Sequence, residues 1–247
     1  MPKKYKLYLE GSPDKKHGYF LSSLVQGFLM EKIDPDYAYL LHDSAIHPYS
    51  QSVRCKGENV IWTVSTLNTK AEEVIGSALK KIVSDAEIKL EHRDELLKVL
   101  KEESCEISYQ DLIDQYYFEN KSKYIKISFA SPTSFKKNGL YVLFPSERLI
   151  FQSLMKKFDA CAESSTVYSD EILEHYEKYA QIVGYRLRST FFHLEGVKIP
   201  SFMGDVTIKI NGPQQMINMA HMLAEFGTYS GVGIKCGIGM GAIETES

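Results

Sequence analysis

The chain has 247 residues, 44% of them apolar, and a formal net charge of −3, enough to bury one or two real cores and too acidic overall for a nonspecific polycation. No apolar run approaches the roughly 20 residues of a membrane-spanning helix, and the N-terminal MPKKYKLYLEG has no secretory apolar core. Cys55, Cys105, Cys161 and Cys236 are far apart and form no zinc-spaced cluster, so the expectation is a reduced, cytoplasmic protein with no structural zinc.

Tyr5 to Leu9 alternates like a strand, and Tyr19 to Lys32 reads as a helix. Val53 to Lys56 and Val60 to Thr66 read as two strands around the turn Gly57-Glu58-Asn59. Thr69 with Glu72 predicts a capping box, ahead of a helix whose apolar face is Val74, Ile75, Ala78, Leu79 and Ile82, and a strand follows near Ile88 to Glu91. The second half repeats this order. A strand from Tyr124 to Ala130 leads into a helix from Ser146 to Phe158, an extra helical segment from about Ser169 to Ile182, and strands Tyr185 to Leu194 and Val197 to Ile210. Asn211-Gly212-Pro213 then opens a helix from Gln214 to Phe226 with proline in its first turn, and Cys236 to Ile243 closes the unit as a strand. The class is α+β, two tandem ferredoxin-like βαββαβ domains, 1–118 and 119–247, joined through the tyrosine-rich stretch Tyr109 to Lys123.

Such folds serve many functions, so sites must decide. In LLHDSAIHPYSQSVR, His42 and His47 flank a loop that continues into Tyr49, Ser50, Ser52 and Arg54. Imidazole titrates near neutral pH, so one histidine can take the proton of a ribose 2′-hydroxyl while another protonates the leaving 5′-oxygen. The alternative is a helix-capping His42 and a surface His47. From Asn120 to Lys157 the chain is locally basic: Lys121, Lys123, Lys126, Lys136, Lys137, Arg148, Lys156 and Lys157 face Glu147 alone. Tyr124, Phe129, Phe135 and Tyr141 lie among them and could stack on unpaired bases, although most should be core. Arg186 and Arg188 share one face of a strand and could meet phosphates or only solvent. Near the C-terminus, Gly227, Gly231, Gly233, Gly237, Gly239 and Gly241 surround Lys235, a pattern suited to phosphate or to a plain β-turn. The order helix–loop–strand is wrong for a dinucleotide fold, and the Lys-Ser or Lys-Thr of a P-loop is absent.

Four segments carry a family resemblance together with the terminal Gly231-Val232-Gly233-Ile234-Lys235-Cys236-Gly237-Ile238-Gly239-Met240-Gly241: Leu41-His42-Asp43, His47-Pro48-Tyr49-Ser50-Gln51-Ser52, Ser131-Pro132-Thr133-Ser134-Phe135 and Phe151-Gln152-Ser153-Leu154. In order and spacing the chain resembles, nearly end to end, the CRISPR repeat-RNA processing endoribonucleases, the CRISPR-associated protein six family of the repeat-associated RNA-binding superfamily. The resemblance implies a metal-independent endoribonuclease without cofactor that cuts precursor CRISPR RNA once per repeat by 2′-hydroxyl attack, leaving a 5′-hydroxyl and a 2′,3′-cyclic phosphate. It places the general base on His42, makes His47 the general acid or charge stabiliser, and lets Tyr39 stand in for a first-helix tyrosine of some relatives, where this chain has Phe28, Leu29 and Met30. Gly231, Gly233, Gly237, Gly239 and Gly241 with Lys235 would hold the RNA backbone through amides, with Lys136, Lys137, Arg186 and Arg188 as further RNA contacts. The implied partner is CRISPR repeat RNA, with a CRISPR effector complex as a further one and a monomer or homodimer as the state. A noncatalytic RNA-binding subunit of such a complex is the alternative. A metal-dependent nuclease would need converging carboxylates, and Asp34, Asp36 and Asp43 read as a solvated, helix-capping stretch.

Overall fold

In a computed structural model the chain is described over residues 1–10, 18–56, 59–90, 95–163 and 165–246. The first half is built from β1 (Lys3–Leu9), α1 (Ser22–Lys32), α2 (Pro35–Asp43), β2 (Tyr49–Lys56), β3 (Asn59–Thr66), a helix in three parts, β4 (Glu87–Leu90) and β5 (Glu95–Glu106). That helix runs as α3 (Thr69–Ala71), a π-helical turn (Glu72–Gly76) and α4 (Ser77–Asp85). The sheet order is β2-β3-β1-β5-β4, with every pair antiparallel. The ferredoxin-like arrangement is therefore present, but β5 holds the place beside β1 that the sequence reading gave to the strand at Ile88. β4 is the outer edge. β5 escapes a periodicity search because it is charged and largely exposed, with Lys101, Glu102 and Glu103 in its middle.

The capping box expected at Thr69 and Glu72 is not formed. Asn68 is the N-cap, its Oδ1 accepting from the Ala71 amide at 2.8 Å, and Thr69 is the first helical residue. Glu72 instead turns inward to accept from the Tyr5 hydroxyl at 2.6 Å and the Thr66 hydroxyl at 2.8 Å. The turn Gly57-Glu58 and the end of the strand at Glu91 lie outside the described residues.

The second half contains α5 (Tyr109–Leu112) with a π-helical turn (Ile113–Tyr117), β6 (Tyr124–Thr133), a small hairpin of β7 (Phe135–Lys137) and β8 (Leu140–Val142), α6 (Glu147–Cys161), α7 (Asp170–Tyr179), β9 (Ala180–Leu194), β10 (Val197–Ile210), α8 (Gln214–Ser230) and β11 (Ile243–Glu246). Its sheet order, β11-β6-β10-β9, is the ferredoxin-like order with the hairpin and α7 as insertions. Pro213 is the N-cap of α8 rather than part of its first turn, and α8 continues one turn past Phe226 to Ser230. The expected strand from Cys236 is a 3-10 turn (Cys236–Ile238), and the strand proper begins at Ile243. Each half has its own core. Trp62, Tyr5, Leu7 and Val64 anchor the first, while Phe129, Phe151, Phe158, Phe202 and Phe226 anchor the second. The Tyr109–Tyr117 segment is helical and packs through Leu112 and Tyr109 into the second core.

The halves are bonded along a seam. The Ser50 hydroxyl donates to the Tyr229 carbonyl at 2.5 Å, Lys4 Nζ reaches Thr228 Oγ1 at 3.1 Å and lies 4.0 Å from the centre of the Tyr229 ring, and Arg54 pairs with Glu244 at 2.7 Å. Beneath the seam, Gln51 is buried, donating to the Ser22 carbonyl at 2.9 Å and accepting from the Trp62 indole at 3.1 Å. Gln51→Leu strands the buried Trp62 indole N–H. It should lower stability by about 1–3 kcal/mol, read by urea unfolding with the single tryptophan as fluorescent reporter; an unchanged midpoint contradicts this role.

Candidate active site

The seam opens on one side into a cleft of about 780 Å³. Its first wall is made by α1, α2 and the loop that follows them. Asp34 caps α2 by accepting from the Tyr37 amide at 3.0 Å, Pro35 fixes the first turn, and Tyr37 and Leu41 bury one helix face. His42, one residue past Leu41, is left exposed in the last turn and lines the cleft. Ser44 stops the helix, its hydroxyl donating to the Leu40 carbonyl at 2.7 Å. The short loop Ser44–Pro48 then carries His47 back over the start of β2, where the Leu67 amide pins the Pro48 carbonyl at 2.9 Å. There the imidazole lies flat on Tyr49, ring centres 5.6 Å apart and planes within 5°.

Burial first, then the nearby Lys157 cation, pushes the His47 imidazole below its ordinary value; Lys235 adds to this, and the backbone of Leu41 and Ser44 pulls weakly the other way. His47 is therefore neutral at pH 7. Burial likewise pushes the Tyr49 phenol up to about 12.

The facing wall comes from the second half: Lys136 and Tyr141 of the hairpin, Gln152, Ser153, Lys156 and Lys157 of α6, and Gly233 to Ile238. Most amides of the glycine-rich segment are already used. Gly231 donates to the Gly227 carbonyl at 2.8 Å, Val232 to Gly241 at 2.8 Å, Ile234 to Ser134 at 3.0 Å and Gly241 to Pro132 at 3.0 Å, and Gly233 donates to Ser153 Oγ at 2.8 Å. Gly231, Gly233, Gly239 and Gly241 have positive φ, and a Cβ on Gly241 would strike the Val232 carbonyl. Lys157 locks the segment by donating to the Gly231 carbonyl at 3.0 Å and to Cys236 Sγ at 2.8 Å. Lys235, in the left-handed region at φ 56°, stands exposed at the cleft lip. The amides of Lys235, Cys236 and Gly237 take no part in these loop hydrogen bonds.

Six residues singled out in the sequence thus meet in one cleft: His42, His47, Lys136, Gly233, Lys235 and Gly237. Others do not. Tyr39 is 76% exposed and outside the cleft wall, and Lys137 follows Lys136 on the opposite face of β7. Gly231, Gly239 and Gly241 sit behind the wall as packing glycines. Arg186 lies opposite Asp205 on β10, whose neighbour Val206 is in the core, so Arg186 and Arg188 occupy the sheet face turned away from α6 and α8. Phe129 is buried away from the cleft, Phe135 is buried but backs its wall, and Tyr141 is the more exposed aromatic of that set at the cleft. Tyr49 and Lys157 went unassigned in the sequence, although the inward alternation Tyr49-Gln51-Val53 and the basic run already contained them. Among the described residues, no three His, Cys, Asp or Glu side chains gather at metal-binding distance.

A family model described as CRISPR-associated endoribonuclease Cas6 matches residues 127–243. The CRISPR-associated endoribonuclease Cas6 of Streptococcus thermophilus is 36% identical over 220 residues, covering 89% of this chain and 89% of that protein. This chain belongs to the Cas6 endoribonuclease family. The Cas6 of Mycobacterium tuberculosis is 28% identical over 223 residues, covering 90% of this chain and 70% of that one. The fold agrees with solved Cas6 structures: a Cas6 product complex superposes with a TM-score of 0.81 at 20% identity over 100% of both chains, and a Cas6 substrate mimic complex with 0.75 at 19% over 99% of both. No helix among the described residues of this Cas6 is long and apolar enough to cross a membrane.

His221, which meets the Ser122 carbonyl at 2.8 Å, is like His47 held below its ordinary value, chiefly by burial. Both groups bind protons more weakly folded than unfolded, so their contribution to stability is present above the usual histidine value near 6.5 and is lost as the pH falls below it. Thermal unfolding should show a falling midpoint between pH 7 and pH 5.5, flattened in a His47→Gln, His221→Gln double variant. Equal slopes in the two proteins contradict this assignment.

Proposed function

We propose that this Cas6 binds CRISPR repeat RNA across the seam cleft and cuts it once per repeat without a metal ion. The observation that carries the reading is the meeting in one cleft of His42 and His47 from the first half with Lys235 and Gly237 from the second. His42, exposed at the rim, takes the proton of the 2′-hydroxyl. O2′ attacks the adjacent phosphorus, the bond from phosphorus to O5′ breaks, and the leaving O5′ takes a proton from water, giving a 2′,3′-cyclic phosphate and a 5′-hydroxyl. His47 is neutral at pH 7, which favours a hydrogen-bond donor to a phosphate oxygen over a general acid. Lys235 and the backbone amides beside it supply the positive field for the phosphorane, and Lys136 with Tyr141 meets flanking nucleotides.

His42→Ala should lower single-turnover cleavage of a labelled repeat RNA by about 100-fold to 10,000-fold, with RNA affinity retained and with EDTA present throughout. Wild-type product ends should be a 2′,3′-cyclic phosphate and a 5′-hydroxyl. Full cleavage by His42→Ala, or loss of wild-type cleavage in EDTA, sinks the assignment; binding without any cut by the wild type points to a noncatalytic RNA-binding subunit.

A further inference from the structure

Gly237 is the one glycine of the terminal segment whose identity the backbone does not explain. Gly231, Gly233, Gly239 and Gly241 all lie at positive φ, where L side chains are strained, and Gly237 does not. What requires glycine here is distance. A Cβ on Gly237 would sit 2.5 Å from His47 Nδ1 and 3.1 Å from both Cζ and the hydroxyl oxygen of Tyr49. Gly237 thus rests against the edge of the imidazole, while Tyr49 covers one of its faces at 5.6 Å in a nearly parallel stack.

We propose that Tyr49 and Gly237 are positioning residues that hold the His47 imidazole in a single orientation at the cleft, so that this ring is set only when the two halves of the chain are docked. The clamp is rigid on both sides. Tyr49 is 1% exposed and opens β2, paired in register with Thr66 of β3. Gly237 sits in a 3-10 turn between Lys235 and Gly239, both in the left-handed region, and a Cβ on Gly239 would strike Ser22 of α1. The turn cannot slide without opening the seam. The charged groups facing the ring are Lys157 of α6 and Lys235 of the turn itself, and both disfavour its protonation. The glycine-rich segment, with most of its amides spent internally, thereby shapes the imidazole as well as offering an anion site.

This inference rests on the proposed function for its catalytic consequence but not for its structural one, and two readouts separate them. The first is 15N NMR titration of the His47 imidazole in RNA-free protein, assigned against His47→Gln. The second is single-turnover cleavage of labelled repeat RNA alongside its Kd. Tyr49→Leu should move the His47 titration back toward that of a free histidine and slow cleavage about 10-fold to 100-fold, with Kd within about twofold of wild type. Tyr49→Phe, which keeps the stack, should recover most of the lost rate and restore the titration. Gly237→Ala should perturb the ring at least as strongly as Tyr49→Leu. If Gly237→Ala does not fold, the two Tyr49 variants decide. An unmoved His47 titration in Tyr49→Leu overturns the clamp whatever the rate does, as does a rate loss matched by an equal loss in Tyr49→Phe. A wild type that cuts no repeat RNA while the titrations shift as described removes the proposed function and leaves the clamp standing.

Discussion

The structure depends on how closely the Cys236–Ile238 turn approaches the first domain. Gly237 and Gly239 come within contact of His47, Tyr49 and Ser22, so any side chain at those positions would force the seam apart. On its other side the turn is tied to α6 by Lys157, whose ammonium group holds the Gly231 carbonyl and the Cys236 sulfur together. Two small ferredoxin-like sheets with separate cores thus behave as walls of one cleft. Neither wall alone carries both the histidines and the cation.

Charge placement follows the same logic. The protein carries a formal net charge of −3, yet the cleft collects Lys136, Lys156, Lys157 and Lys235. Several other cations are neutralised locally, Lys126 by Glu246, Arg54 by Glu244 and Arg148 by Glu177. The cleft is thus a local concentration of positive charge on a protein that is acidic overall. Two of these cations, Lys157 and Lys235, add to the burial that holds the His47 imidazole below its ordinary value, so the binding field and the imidazole are coupled.

Much of this was legible in the sequence because it rests on local patterns. The doubled βαββαβ order, the length of β10 and the start of α6 at the Ser146 cap follow from periodicity and capping residues. What stayed hidden depends on partners distant in the chain. β5 is a strand because it pairs with β1, not because its charged residues favour one. Glu72 looked like half of a capping box, but Tyr5 and Thr66 offered its carboxylate better donors. The glycine-rich run read as a phosphate cradle, and only the hydrogen bonds that its amides donate to Pro132, Ser134 and Ser153 reveal how many of them are already used. Arg186 and Arg188 share a face as their spacing dictates, yet spacing alone could not say that this face turns away from the cleft.

The most direct measurement is the structure of this Cas6 bound to a repeat RNA carrying a 2′-deoxy nucleotide at the cut site, which blocks the attack and traps the complex. The account expects the scissile phosphate in the seam cleft, with His42 facing the 2′ position and His47 and Lys235 within hydrogen-bonding reach of phosphate oxygens. A scissile phosphate held elsewhere, such as on the sheet face of Arg186 and Arg188, would contradict it.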